Sequence, residues 1–213
     1  MTKDKKRETL ITDVSGVILA GGENRRFGKN KALARICDQP LIERVVSVMS
    51  SIFEDLVLIT NTPEVYSYLH IPLYKDEIEG CGPLGGILTG LIHMSCNYGF
   101  FAACDMPCLK QSFIRHMVYL KNGYDVVVPR IAENKIEPLH AIYAKACIPF
   151  IRKSIKAGSY RISCLFRTGS ARYIDIDEIC RFDPGLMSFI NVNTEKELKS
   201  INQLLNEEQD IDA

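Results

Sequence analysis

Val17-Ile18-Leu19-Ala20-Gly21-Gly22-Glu23-Asn24-Arg25-Arg26-Phe27-Gly28-Lys29-Asn30-Lys31 joins an apolar run to paired glycines and then to four cations within seven residues. An apolar strand that ends in this way reads as a phosphate site. Glycine has no Cβ, so backbone N–H groups come close to an anion. Arg25 and Arg26 offer forked hydrogen bonds, while Lys29 and Lys31 act as point charges, which together suits a triphosphate. A strand followed by a solvated basic loop is the plainer alternative. The run lacks G-x-x-x-x-G-K-[ST] and G-x-G-x-x-G, so it is neither a Walker A loop nor a dinucleotide turn.

Working outward, short apolar runs alternate with helical patterns. Residues 15–20, 56–60, 100–103 and 124–128 read as buried strands. Residues 41–53 place Leu41, Ile42, Val45, Val46, Met49, Ile52 and Phe53 on one helical face. Residues 84–94 do the same with Leu84, Ile87, Leu88, Leu91 and Ile92, and Pro83 suits the first helical position. Residues 112–120 form a third helix. This alternation predicts an α/β fold: a three-layer, Rossmann-like, mostly parallel sheet with helices on both faces. Later elements are less regular: a strand at 139–143, a helix at 146–155, a short helix at 161–166 and a strand at 172–176. A last helix follows Thr194, with Glu197 completing a capping box and Leu198, Ile201, Leu204 and Leu205 as its apolar stripe.

The chain has 213 residues, of which 46% are hydrophobic and 24% charged, an ordinary globular composition. The expected organisation is a single domain over 1–213. A nucleotide-binding half spans about 13–130 and an acceptor half about 131–205, with a disordered tail at 206–213. Acidic and basic residues number 26 each, so net charge makes no case for nucleic acid or membrane. The basic N-terminus lacks the apolar stretch of a signal peptide, and no run approaches the roughly 20 residues of a membrane span. Eight scattered cysteines contain no C-x-x-C. They read as reduced packing thiols; Cys104 and Cys108 alone make a poor zinc site.

Ligands in open α/β sheets bind at the strands' carboxyl ends. There the second strand delivers Asn61, which carries both a donor and an acceptor for a base or ribose and equally suits a turn. The strand at 100–103 delivers Asp105, where a carboxylate suits a magnesium ion shared with phosphate oxygens. Gly80, Gly82, Gly85 and Gly86 surround the start of the second helix. Asn191 and Asn193 lie two residues apart, so an extended backbone would turn both to one side.

Five motifs, in order, resemble the molybdenum cofactor guanylyltransferase family of nucleotidyltransferases. Leu19 to Lys31 is similar to L-A-G-G-x-S-x-R-M-G-x-D-K, with Arg26, Gly28 and Lys31 on the family's Arg, Gly and Lys. Asn24 stands for Ser, Phe27 for Met and Asn30 for Asp. Gly82-Pro83-Leu84-Gly85-Gly86 resembles G-P-L-A-G, and Asp105-Met106-Pro107 resembles D-x-P. Pro138 to Tyr143 resembles P-L-H-A-L-Y. Phe189 to Leu198 resembles F-x-N-I-N-T-P-E-D-L without the Pro. The resemblance implies a cytoplasmic enzyme that transfers GMP from GTP to the terminal phosphate of molybdenum–molybdopterin and releases pyrophosphate. It implies catalytic roles for Arg26, Lys31 and Asp105, with Mg²⁺ on Asp105. Nucleotide contacts would come from Leu19, Ala20, Gly21, Gly22, Lys31, Asn61, Asp76, Gly82 and Asp105, and acceptor contacts from Asn191 and Asn193. Arg130, Lys135, Arg161 and Arg167 are candidates for the acceptor phosphate, and His140 reads as a core or supporting histidine. Molybdoenzymes or their chaperones are candidate partners, and a monomer or weak homo-oligomer is expected. The rivals are a CTP-dependent pterin enzyme, a sugar-phosphate enzyme and a non-catalytic cofactor-binding protein.

Overall fold

The computed structural model describes residues 9–21, 31–166 and 170–211. Gly22, Arg25, Arg26, Gly28, Lys29 and Arg167 therefore lie outside the described residues, as do the departures Asn24, Phe27 and Asn30. The strands are β1 (Val14–Leu19), β2 (Arg35–Ile36), β3 (Gln39–Pro40), β4 (Leu56–Ile59), β5 (Leu73–Tyr74), β6 (Tyr98–Ala103), β7 (Val126–Ala132), β8 (Lys135–Ile136), β9 (His140–Ala144) and β10 (Ala171–Asp175). The helices are α1 (Leu41–Ser50), α2 (Pro63–Tyr66), α3 (Gly82–His93), α4 (Gln111–Tyr119), α5 (Ile148–Lys156), α6 (Ile176–Ile179) and α7 (Glu195–Ile211).

Among the described residues, eight strands form one sheet in the order β10-β7-β9-β6-β1-β4-β5, with β8 paired to β7. β1 lies between β4 and β6 and is parallel to both. β4–β5 and β7–β10 are also parallel. β9 alone among the central strands is reversed, antiparallel to β6 and β7. The mostly parallel sheet read from the sequence is thus the sheet observed, and strands from both expected halves share it.

Burial explains the layers. All six residues of β1 and all four of β4 are buried, as expected for strands covered on both faces. Val14 and Ile18 point to one face with Ile42, Val45 and Met49 of α1 and Phe113 and Met117 of α4. Val17 and Leu19 point to the other, with Leu84, Ile87 and Leu91 of α3 and Ile151 of α5. The period-two alternation of β1 therefore feeds two separate cores. Each fully buried aliphatic side chain in them contributes about 1.5–3 kcal/mol. The cover by α3 depends on Gly90, where a Cβ would lie 2.6 Å from Phe101 Cε1 and 2.7 Å from Val17 Cγ1. A third cluster docks Ile201 of α7 on Ile36, Leu41, Cys108 and Val192.

Several expectations change. The helix expected over 41–53 stops at Ser50, although Ile52 and Phe53 stay buried. The strand expected to end at 128 runs to Ala132 and pairs with β8. The last helix continues to Ile211, beyond Asn206, where the tail was expected to begin. In its cap Glu197 N donates to Thr194 Oγ1 at 3.2 Å, but the returning Glu197 carboxylate accepts from Asn193 N at 2.7 Å. The short pieces β2, β3, α2, β5, β8 and α6 carry too few residues for a periodic signal.

Candidate active site

The site gathers where β1, β4, β5 and β6 end. Cys104 N donates to Leu19 O (3.0 Å), Ala20 N to Ile59 O (2.9 Å) and Thr60 N to Tyr74 O (2.8 Å). These ladder bonds carry the sheet one residue past its strands. They set Ala20-Gly21, Asn61, Asp76 and Asp105 along one rim.

On the β4–β5 side Asn61 and Asp76 grip each other. Asn61 Nδ2 donates to Asp76 Oδ2 at 2.9 Å, and Asp76 N donates to Asn61 Oδ1 at 3.0 Å. Thr89 fastens the next residue: Glu77 N donates to Thr89 Oγ1 at 2.9 Å, and that hydroxyl donates to Gly85 O at 3.0 Å. Thr89 is fully buried on α3, and the sequence reading missed it because a lone threonine in a helix carries no motif. Gly82 opens α3 with φ +57°, a backbone conformation that favours glycine. Asp76 lies against α3, with Oδ1 3.8 Å from where a Gly86 Cβ would stand.

On the β6 side Lys31 Nζ lies 2.5 Å from Asp105 Oδ2 and donates at 2.5 Å to Asn193 Oδ1. Lys31 stands 74 positions from Asp105 and 162 from Asn193, so only the fold brings them together. Asp105 Oδ1 is buried and has no hydrogen-bond partner among the described residues. A buried carboxylate oxygen left without a donor is donor chemistry suited to a hard divalent cation. The residues present therefore fit the metal that the family implies through Asp105, whose Oδ1 could hold it, while Asp105 Oδ2 and Asn193 Oδ1 both face Lys31. Burial and the Asp105 charge push the Cys104 thiol up to about 12, so it stays protonated and offers no thiolate. No group of three or more His, Cys, Asp or Glu residues poised for a metal occurs among the described residues.

Asn191 does not join Asn193 at Lys31; its Nδ2 donates to Phe189 O at 3.4 Å. Arg130, offered for a phosphate, is engaged by Asp175 through Nε (2.5 Å) and a second nitrogen (2.9 Å). Lys135 and Arg161 are exposed. Ala103 N donates to Leu139 O at 3.1 Å, which brings the 137–140 turn beside Asp105. Glu137 in that turn is held above the usual carboxylate range, chiefly by burial and then by the Asp105 charge. His140 is fully buried; its ring stacks on Phe113 and meets Phe100 and Phe189 edge-on, and neither nitrogen has a hydrogen-bond partner among the described residues.

An open, mostly parallel sheet whose first strand leads into the glycine-rich segment of the sequence, with a cation-compatible Asp after the neighbouring parallel strand, is the architecture of a nucleotidyltransferase. The chain belongs to the MobA-like NTP transferase domain family, which matches residues 16–172. A molybdenum cofactor guanylyltransferase of Desulfosudis oleivorans is 37% identical over 188 residues, covering 87% of this chain and 93% of that protein. A probable molybdenum cofactor guanylyltransferase of Peptoclostridium acidaminophilum is 33% identical over 201 residues, covering 92% and 91%. The crystal structure of molybdopterin-guanine dinucleotide biosynthesis protein A from Archaeoglobus fulgidus superposes with a TM-score of 0.81 at 26% identity, covering 91% of this chain and all of that one. The resemblance read from five sequence motifs is thereby borne out. Members of this class are generally metal-dependent, and no described helix is long and apolar enough to cross a membrane.

Proposed function

We propose that this nucleotidyltransferase is a molybdenum cofactor guanylyltransferase: it moves GMP from GTP to the terminal phosphate of molybdenum–molybdopterin and releases pyrophosphate. The observation that carries the reading is the meeting of Lys31, Asp105 and Asn193 at 2.5 Å contacts where β1 and β6 end. The names of the relatives supply the substrates.

The chemistry needs no side-chain nucleophile. An acceptor phosphate oxygen, already anionic, attacks the α-phosphorus of GTP in line. A new P–O bond forms as the bond to the β-phosphate bridge breaks, and pyrophosphate leaves with its electron pair. The protein's work is positioning and charge stabilisation. Asn61 and Asp76 would hold the nucleoside, and the backbone at Leu19, Ala20, Gly21, Gly22 and Gly82 would approach base and phosphates. Lys31 would meet the triphosphate as a point charge. Arg26 lies outside the described residues, and its role there rests on the motif. Mg²⁺ held by Asp105 would supply further charge compensation at the phosphates. Asn193, and Asn191 beside it, would face the acceptor. The expected cytoplasmic location belongs to the same reading.

A thermal shift with GTP, CTP, ATP and UTP, each with and without Mg²⁺, tests it. Ligand at 100 times its Kd adds about 2.7 kcal/mol of stability, enough to move the melting temperature by a few degrees. A shift confined to GTP is expected, followed by pyrophosphate release once acceptor is added. A shift with CTP or UTP instead would overturn the substrate, and no release would overturn the reaction.

A further inference from the structure

Outside the groups assigned so far, one buried carboxylate stands at the root of the acceptor loop. Asp183 is fully buried and follows α6, where its N donates to Ile179 O at 2.9 Å. Its Oδ1 accepts from Met187 N (3.0 Å) and its Oδ2 from Ser188 N (2.8 Å). Both oxygens are thus spent on the turn that leads to Asn191 and Asn193. That turn includes Leu186 in the left-handed region (φ +51°), which a leucine adopts only when its surroundings hold it.

The turn is fastened in its own right to the loop that carries Asp105. Ser188, fully buried, accepts through Oγ from Lys110 N at 3.0 Å, at the entrance to α4. Phe189 seats against Phe113 and His140. Val192 N then donates to Asp105 O at 3.0 Å, with Val192 fully buried, and Asn193 Oδ1 reaches Lys31. The chain of contacts runs from the Asp183 carboxylate, through Ser188 and Val192, to the backbone of Asp105.

We infer that Asp183 is a positioning residue for acceptor binding: its two backbone bonds set the 187–193 loop against the Asp105 loop and so place Asn193. This rests on the proposed reaction for its kinetic readout. Asn61, Asp76 and Thr89, the groups proposed for the nucleotide, hang on α3 and the β4–β5 rim and, among the described residues, share no hydrogen bond with Asp183. Loosening the clamp should therefore act on one substrate and spare the other.

Asp183→Asn presents an NH₂ to one of the two backbone donors and so breaks half of the clamp. Ser188→Ala removes only the tie to Lys110. Ile52→Ala, a core change before β4 at the strands' amino end, serves as a control for a similar fall in melting temperature. The expected result for Asp183→Asn is a KM for the pterin acceptor raised at least tenfold, with the KM for GTP within twofold of wild type. Ser188→Ala should move the acceptor KM in the same direction, by about threefold, and Ile52→Ala should move neither. Amide hydrogen exchange at Val192 and Asn193 should speed up in both clamp variants and not in the control. Equal rises in both KM values, or an unchanged acceptor KM with unchanged exchange, would overturn the inference. If Asp183→Asn does not fold, Ser188→Ala decides by the same two readouts. Absence of GMP transfer in the wild type would instead count against the reaction, and the exchange rates would still judge the clamp.

Discussion

Asp105 concentrates the chemistry in one side chain. One oxygen meets Lys31, and the other is buried without a partner among the described residues. Asp105→Ala is expected to lower metal-dependent turnover by about 100-fold or more. Activity within tenfold of wild type, under about 1.4 kcal/mol of barrier, would remove the metal from this residue. His140 makes a different prediction. Burial lowers it from 6.5 to about 3, so the folded chain keeps it neutral. The unfolded chain binds a proton below about pH 6.5 that the folded chain refuses until about pH 3. Stability is therefore fully present above 6.5 and falls with pH between those values, by about 1.4 kcal/mol per unit at the steepest. His140→Phe should flatten that acid limb in thermal unfolding between pH 4 and 7; an unchanged limb would show that His140 does not stay neutral in the fold. The sequence marked His140 as a core or supporting residue, but its nitrogens, unpaired among the described residues, lie among three phenylalanine rings that arrive from distant positions.

At the scale of the element, α3 both covers the sheet and braces the side of the candidate site proposed for the nucleotide. Its start at Pro83 was readable, because a helix start has residue preferences, whereas the packing role of Gly90 was not. The part played by Thr89 was not readable, since its acceptor role exists only once Glu77 lies alongside. Thr89→Val keeps the shape and strands the Glu77 N–H. The KM for GTP should rise about five- to tenfold with little change in kcat, as expected for one lost hydrogen bond. Steady-state kinetics with GTP as the varied substrate checks this. The final helix was legible from its cap and apolar stripe, yet its docking surface was not. Cys37 N donates to Asn202 Oδ1 at 2.7 Å, and Ile201 packs on the β2–β3 hairpin. Cys37 and Asp38 both have positive φ in that hairpin, an arrangement with no glycine to announce it. Ile201→Ala should cost about 2–4 kcal/mol in denaturant unfolding, by leaving a cavity where three parts of the chain meet.

Across the whole molecule, the candidate site and a plain core separate along the strand direction. The carboxyl ends of β1, β4 and β6 carry the residues proposed for the site. The amino ends hold a plain core at Ile52, Phe53 and Leu56, where Ile11 N also donates to Ile52 O at 2.7 Å. Ile52→Ala should therefore lower the melting temperature by several degrees, about 2–4 kcal/mol, and leave GTP affinity within twofold. A large loss of affinity would show that the two ends are coupled. By itself the sequence determined the alternation of strands and helices, the acid after β6 and the family. Those depend on local periodicity, on backbone preferences of Gly and Pro, and on short motifs. Tertiary structure alone decided that β9 enters the sheet reversed, that Lys31 meets both Asp105 and Asn193, and that Arg130 is taken by Asp175. Those are contacts between residues 45 to 162 positions apart or choices of strand neighbour. Local propensity carries no information about such pairings; they are selected by the burial and hydrogen bonding of the assembled sheet.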